Sequence, residues 1–201
     1  MITSAEIWMQ TLEGRAVDLV FPTGNHVDFR EVAEALSGVN RFAGNTRPHV
    51  SVALHTLIAI EAAEDPTVKP YVALHDGHEA YIGDILGPTE KALIAIAQSH
   101  GPAVRKAIDS LRLRHDLAIW HAAGLPAPSD AIRAAVLRAD ITALATERRD
   151  FMKPPPRAWA AIVEQTPPLK RRMKWLAPPD AADRLYAEFR RLLPCFKEVF
   201  A

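Results

Sequence analysis

The sequence predicts a nearly all-α fold, a helical array with a short N-terminal β-hairpin, on three observations. Apolar residues recur every three to four positions over most of the chain, and capping residues and prolines punctuate those stretches. The convincing strand signal is confined to the start, where Ile7 to Thr11 and Ala16 to Val20 flank the turn Glu13-Gly14-Arg15.

Each element follows in order. Asp28 followed by Glu31 reads as a capping box opening a helix to about Leu36, and Gly38 ends it. Asn40 to Pro48 is polar and turn-rich, with Arg41, Phe42 and Arg47, a loop of functional character. His49 to Glu64 is apolar at 50, 52, 54, 57, 58 and 60, a buried helix carrying His55. Pro70 starts a helix expected to run through His75 and Glu79 until Gly83 to Gly87 breaks it. Helices are expected over about 88–100, 102–123 and 129–152, the last capped by Ser129 with Asp140 midway. Lys153-Pro154-Pro155-Pro156 stops that helix; a short helix is expected around Trp159, and Pro178-Pro179-Asp180 opens an amphipathic helix bearing Leu185, Phe189 and Leu192.

Composition narrows the function classes. The 201 residues, 49% apolar, suit one domain over 1–201 with a sizeable core. Lys+Arg and Asp+Glu are 24 each, so no global basic field argues for nucleic acid. The single Cys195 excludes an internal disulfide framework and a cysteine zinc site. Met1 to Gly14 has no apolar core of signal length and no apolar run approaches membrane-spanning length, so a cytoplasmic protein without membrane contact is expected.

Chemistry concentrates in Leu74-His75-Asp76-Gly77-His78-Glu79-Ala80-Tyr81-Ile82-Gly83-Asp84. At 3.6 residues per turn His75, His78 and Glu79 share a face with Asp76 about 100° round from His75, an arrangement suited to a divalent metal. Imidazole with carboxylate favours Mn, Fe, Co, Ni or Zn over Ca. A second His-Asp pair, His115-Asp116, lies among Arg105, Arg112 and Arg114 and reads as a solvated helix face. The cluster Lys170 to Lys174 reads as a solvated loop or a phosphate contact.

The order His55, His75-Asp76, Asp140 resembles the H…HD…D signature of HD-domain phosphohydrolases, helical enzymes with a divalent metal. Asn40-Arg41-Phe42, Ser51 to Thr56, Leu74 to Ile85 and Ala139-Asp140 through Glu147-Arg148 are similar to the YfbR-like branch, the 5′-deoxynucleotidases and their phage dATP triphosphohydrolase relatives, over roughly residues 10 to 195. The resemblance implies His55, His75, Asp76 and Asp140 as metal ligands, Glu79 and Asp84 in catalysis, and Arg41 and Lys91 on phosphate, with Phe42 packing on sugar or base. It departs at Gly87-Pro88-Thr89-Glu90-Lys91, one residue longer than usual, at Leu54, where a polar residue is common, at Phe42, where some relatives have Trp, and at His78, in place of a small residue, read here as an outer-shell partner or, in preference, as facing solvent.

The expected function is therefore hydrolysis of deoxyribonucleotides, phosphate release from monophosphates first and triphosphate release from dATP second. One divalent transition metal is expected, with an additional Mg ion entering with the nucleotide also compatible, and a homo-oligomer, dimer or higher, as the assembly. The rival is a non-catalytic nucleotide-sensing helical module.

Overall fold

A computed structural model describes residues 6–197. Residues 1–5 and 198–201, the two ends of the domain expected over 1–201, lie outside the described residues. The expected hairpin forms from β1 (Trp8–Gln10) and β2 (Ala16–Asp18), antiparallel with Met9 opposite Val17. The helices are α1 (Phe29–Gly38), α2 (Val52–Ala62), α3 (Lys69–Leu74), α4 (Glu79–Ile82), α5 (Gly87–Ile96), α6 (Gly101–Ala123), α7 (Asp130–Phe151), α8 (Ala161–Gln165) and α9 (Pro178–Leu192). The chain is all-α apart from the hairpin, as its periodicity predicts.

Local chemistry sets the boundaries. The Asp28 carboxylate accepts from Arg30 N and Glu31 N at the head of α1, and Ser51 and Ser129 cap α2 and α7 through Leu54 N and Ile132 N. Glu31 does not close the predicted capping box. Its carboxylate accepts from Glu13 N at 2.6 Å and pairs with Arg15, tying the hairpin turn to α1.

Helix α2 is apolar on all sides and sits at the centre, packed by α1, α3, α7 and α9. Leu36, Leu54, Ile58, Leu74, Ile119, Leu185 and Phe189 are fully buried, and Phe29 meets Phe189 edge-on at 5.7 Å. Burying one such side chain contributes about 1.5 to 3 kcal/mol. Central placement delivers His55 into the interior, where only a partnered imidazole is tolerated. Among the described residues no helix is long and apolar enough to cross a membrane.

Two expected elements differ. The helix expected from Pro70 to Gly83 is interrupted: α3 ends at Leu74, residues 75–78 form tight turns, and α4 follows. Gly77 N donates to Leu74 O and Glu79 N to Asp76 O, three residues back rather than four. The interruption presses Gly77 against α6: a Cβ there would lie 3.2 Å from Ile119 Cδ1. Trp159 is not in a helix but precedes α8, its amide donating to Glu164 Oε1.

Candidate metal centre

Three elements bring the four expected ligands together. His55 comes from the middle of α2, His75 and Asp76 from the turn after α3, and Asp140 from the middle of α7. His55 Nε2 lies 3.2 Å from His75 Nε2, 3.6 Å from Asp76 Oδ2 and 3.1 Å from Asp140 Oδ1. His75 Nε2 lies 3.2 Å from Asp76 Oδ2 and 3.9 Å from Asp140 Oδ1. Donor atoms on a common ion at about 2.0 to 2.2 Å stand roughly 3 to 3.6 Å apart at ordinary coordination angles. Most of the observed separations fall there; the Asp140 to His75 gap is slightly wider, and Asp140 is the more exposed arm at 34%, marking the open side.

The hydrogen-bonding inventory argues for a cation. His75 Nδ1 lies 2.7 Å from the Val72 carbonyl, which only accepts, so that nitrogen carries the proton and Nε2 presents a lone pair. His55 Nδ1 lies 3.1 Å from Glu147 Oε2, within ion-pair reach but not aligned as a hydrogen bond, so Glu147 acts on it chiefly through charge. When both imidazoles are neutral, two lone pairs face each other beside two carboxylates, and without an ion that cluster is satisfied only by taking up protons on the imidazoles. His55, His75 and Asp76 form a group close enough to hold one divalent ion, and Asp140, 3.1 Å from His55 on the exposed side, would join it by a small closing movement.

The electrostatics point the same way. Burial opposes protonation of His75, yet the Asp76 and Asp140 carboxylates push it up to about 10. His55 is also raised, with burial and Arg41 opposing and Glu147 and Asp140 prevailing. Burial works against ionised Asp76 and Asp140, but the facing imidazoles hold both carboxyls below their usual range. So negative a potential is what a bound cation would exploit.

Glu79 and Asp84 flank this cluster. Burial, reinforced by Asp76 and Asp84, pushes Glu79 up to about 9, and burial first raises Asp84 too. Glu79 Oε2 and Asp84 Oδ2 are buried without a hydrogen-bond partner. Gly83, at φ 73° and ψ 168°, stops α4 in a conformation that side chains resist and sends the chain on to Asp84.

Arg41 also reaches the centre. Its Nη2 donates to Glu147 Oε2 at 3.2 Å and its Nη1 lies 3.9 Å from Asp76 Oδ2, while Nε is buried without a partner. Burial opposes its charge, but Glu147 and Asp76 strengthen it. Phe42 holds a left-handed conformation at φ 56° and stands 6.1 Å from the Trp159 ring, with the Arg41 guanidinium 5.4 Å over its own ring. Lys91 is exposed on α5 and, among the described residues, makes no ion pair with the cluster. Its neighbour Glu90 turns inward instead, held by Arg105 and Arg112.

Two expectations are corrected and one residue is gained. His78 does not face solvent: it is buried, and its Nδ1 meets Asp116 Oδ1 at 2.9 Å. His115-Asp116 is accordingly not a solvated face, and His115 is 1% exposed, stacked on Tyr81 and 3.2 Å from Leu19 O. Sequence reasoning assigned no role to Glu147, which is fully buried between His55 and Arg41. Its signal was a carboxylate two helical turns after Asp140 among Ala143, Thr146 and Phe151.

No family model matches the chain. It is 32% identical over 94 residues to an uncharacterized protein of Rhodobacter capsulatus, an alignment covering 43% of this chain and 48% of that protein. The chain thus spans about half the length of the curated relative it matches.

Proposed function

We propose that this chain is a metal-dependent phosphohydrolase of the HD-domain kind acting on 5′-deoxyribonucleotides, with monophosphates as the first substrates. The observation that carries the reading is the convergence of two imidazoles and two carboxylates beside two further carboxyls with oxygens that lack partners. A divalent ion there supplies Lewis acidity towards a phosphoryl oxygen and acidifies water.

The residues around it divide the remaining work. Glu79, with its raised affinity for a proton, is suited to delivering one to the leaving sugar oxygen. Asp84 offers an unpartnered acceptor oxygen that orients an attacking water. Arg41, held by Glu147, presents a fixed cation to phosphate oxygens.

The basic cluster favours monophosphate over triphosphate. Arg171 is engaged with Glu61 and Arg172 with Asp150, while Lys174 lines a separate cavity, which leaves these three side chains committed away from a polyphosphate at the metal. The test is elemental analysis of the purified protein with phosphate release from dAMP, AMP and dATP under a single metal. Metal bound at one per chain with release from dAMP supports the reading. Release of triphosphate from dATP would move it to the triphosphohydrolase alternative, and nucleotide binding without turnover under any metal would make the chain a sensor.

A further inference from the structure

A cavity of about 500 Å³ opens between α2, α3, α9 and the segment 171–176. Leu54, Leu57, Ile60 and Glu61 of α2 line it, whereas His55 projects from the same helix roughly 150° from the middle of that row at about 100° per residue. The cavity is therefore separate from the metal centre, and its volume falls in the range of about 300 to 1,000 Å³ usual for small-molecule sites.

Its lining is amphipathic. Leu57, Met173 and Leu176 supply an apolar floor, and Lys69, Lys174 and Arg184 supply positive charge. The two acids in the wall are already neutralised, Glu61 by Arg171 and Glu188 by Arg191. Among the described residues Lys69, Lys174 and Arg184 have no ion-pair partner. Three uncompensated cations around an apolar floor form a site for a polyanion carrying a flat apolar body. A nearby thioether such as that of Met173 favours an aromatic one.

We propose that this cavity binds a nucleoside di- or triphosphate, with the phosphates on Lys69, Lys174 and Arg184 and the base against Leu57, Met173 and Leu176. The reading does not depend on the chemistry of the metal centre. It also accounts for the basic segment around Lys174, which lies on this side of α2.

Calorimetry on the full chain in excess chelator tests it apart from any metal-dependent binding or turnover, with ATP, inorganic tripolyphosphate and adenosine as probes. ATP is expected to bind saturably, at least about tenfold more tightly than tripolyphosphate or adenosine alone, since each supplies half of the contacts. Lys174→Glu and Arg184→Glu, both at exposed positions, should each weaken ATP by about tenfold with an unchanged melting temperature. Arg41→Gln, at the metal centre, should leave ATP affinity within about twofold. No saturable ATP binding, indifference to the two charge reversals, loss with Arg41→Gln, or tripolyphosphate binding as tightly as ATP would each overturn the proposal.

Discussion

Glu147 Oε2 lies 3.1 Å from His55 Nδ1 and 3.2 Å from Arg41 Nη2, so one fully buried carboxylate stands between an imidazole of the candidate metal centre and the Arg41 guanidinium. The negative charge of that oxygen beside Nδ1 favours a proton there, while Nε2 is directed towards His75 and Asp140. Glu147→Gln keeps the shape but not the charge. Metal affinity should fall by about 10- to 100-fold, with the far-ultraviolet spectrum unchanged. Glu147→Ala strands the buried Arg41 guanidinium and should destabilise the fold by about 3 to 5 kcal/mol in urea titration.

Asp140 is the most exposed of the four candidate ligand side chains, so it can be removed with little damage to packing. Asp140→Ala should weaken metal binding and abolish phosphate release together, measured by metal content and turnover on one preparation. Full occupancy with full turnover would remove Asp140 from the ligand set.

Glu79 is predicted to act on protons without holding the ion. Glu79→Gln should retain metal and lose about 10²- to 10⁴-fold in kcat, the usual worth of a positioned acid or base. A variant that folds but comes off the column without metal would instead make Glu79 a ligand.

Acid sensitivity is expected at the hairpin junction. Burial opposes ionisation of Glu31, but the Thr11 hydroxyl, the Glu13 amide and Arg15 outweigh it and hold the carboxyl below its ordinary 4.5. A depressed carboxyl stabilises the fold above the unfolded-state value and loses that contribution as pH falls through the folded-state value. Urea midpoints of the wild type should therefore fall between roughly pH 5 and 3 more steeply than those of Glu31→Gln. Parallel curves would show that the junction contributes nothing to acid stability.

How far the sequence carries depends on the range of the forces involved. Helices α1 and α7 were readable because Asp28 and Ser129 cap them through amides within three residues, and α2 was readable from its apolar spacing. The break at residues 75–78 was not, because it belongs to the close approach of Gly77 to Ile119 on a helix far along the chain. Burial of His78 and His115 was hidden for the same reason: the partners Asp116 and Leu19 are distant in sequence, and charged neighbours made the local signal look like a surface. The candidate ligands were named from their order, whereas Glu147 and Trp159 emerge only when α7 and the 153–160 segment are set against Arg41 and Phe42.

Selection of the sugar is the last prediction. Phe42 occupies a left-handed conformation beside Arg41, a strain of order 1 kcal/mol that the fold tolerates while its ring meets Trp159. Arg148 lies 5.3 Å over the Trp159 ring and pairs with Glu164, so the aromatic wall is braced from behind. On the proposed function, an aromatic wall next to the Arg41 guanidinium suits a nucleotide better than a simple phosphoester, and a ring packed against the sugar would leave a 2′-hydroxyl without room or a partner. Deoxyribonucleotides should therefore exceed ribonucleotides by at least about tenfold in kcat/KM, or about 1.4 kcal/mol. Trp159→Ala should relax that ratio towards unity, mainly through KM for dAMP, because the side chain packs on Phe42 and not on the candidate metal ligands. Equal kcat/KM for dAMP and AMP in the wild type would remove the wall from sugar selection, and an unchanged ratio in Trp159→Ala would remove Trp159 from it.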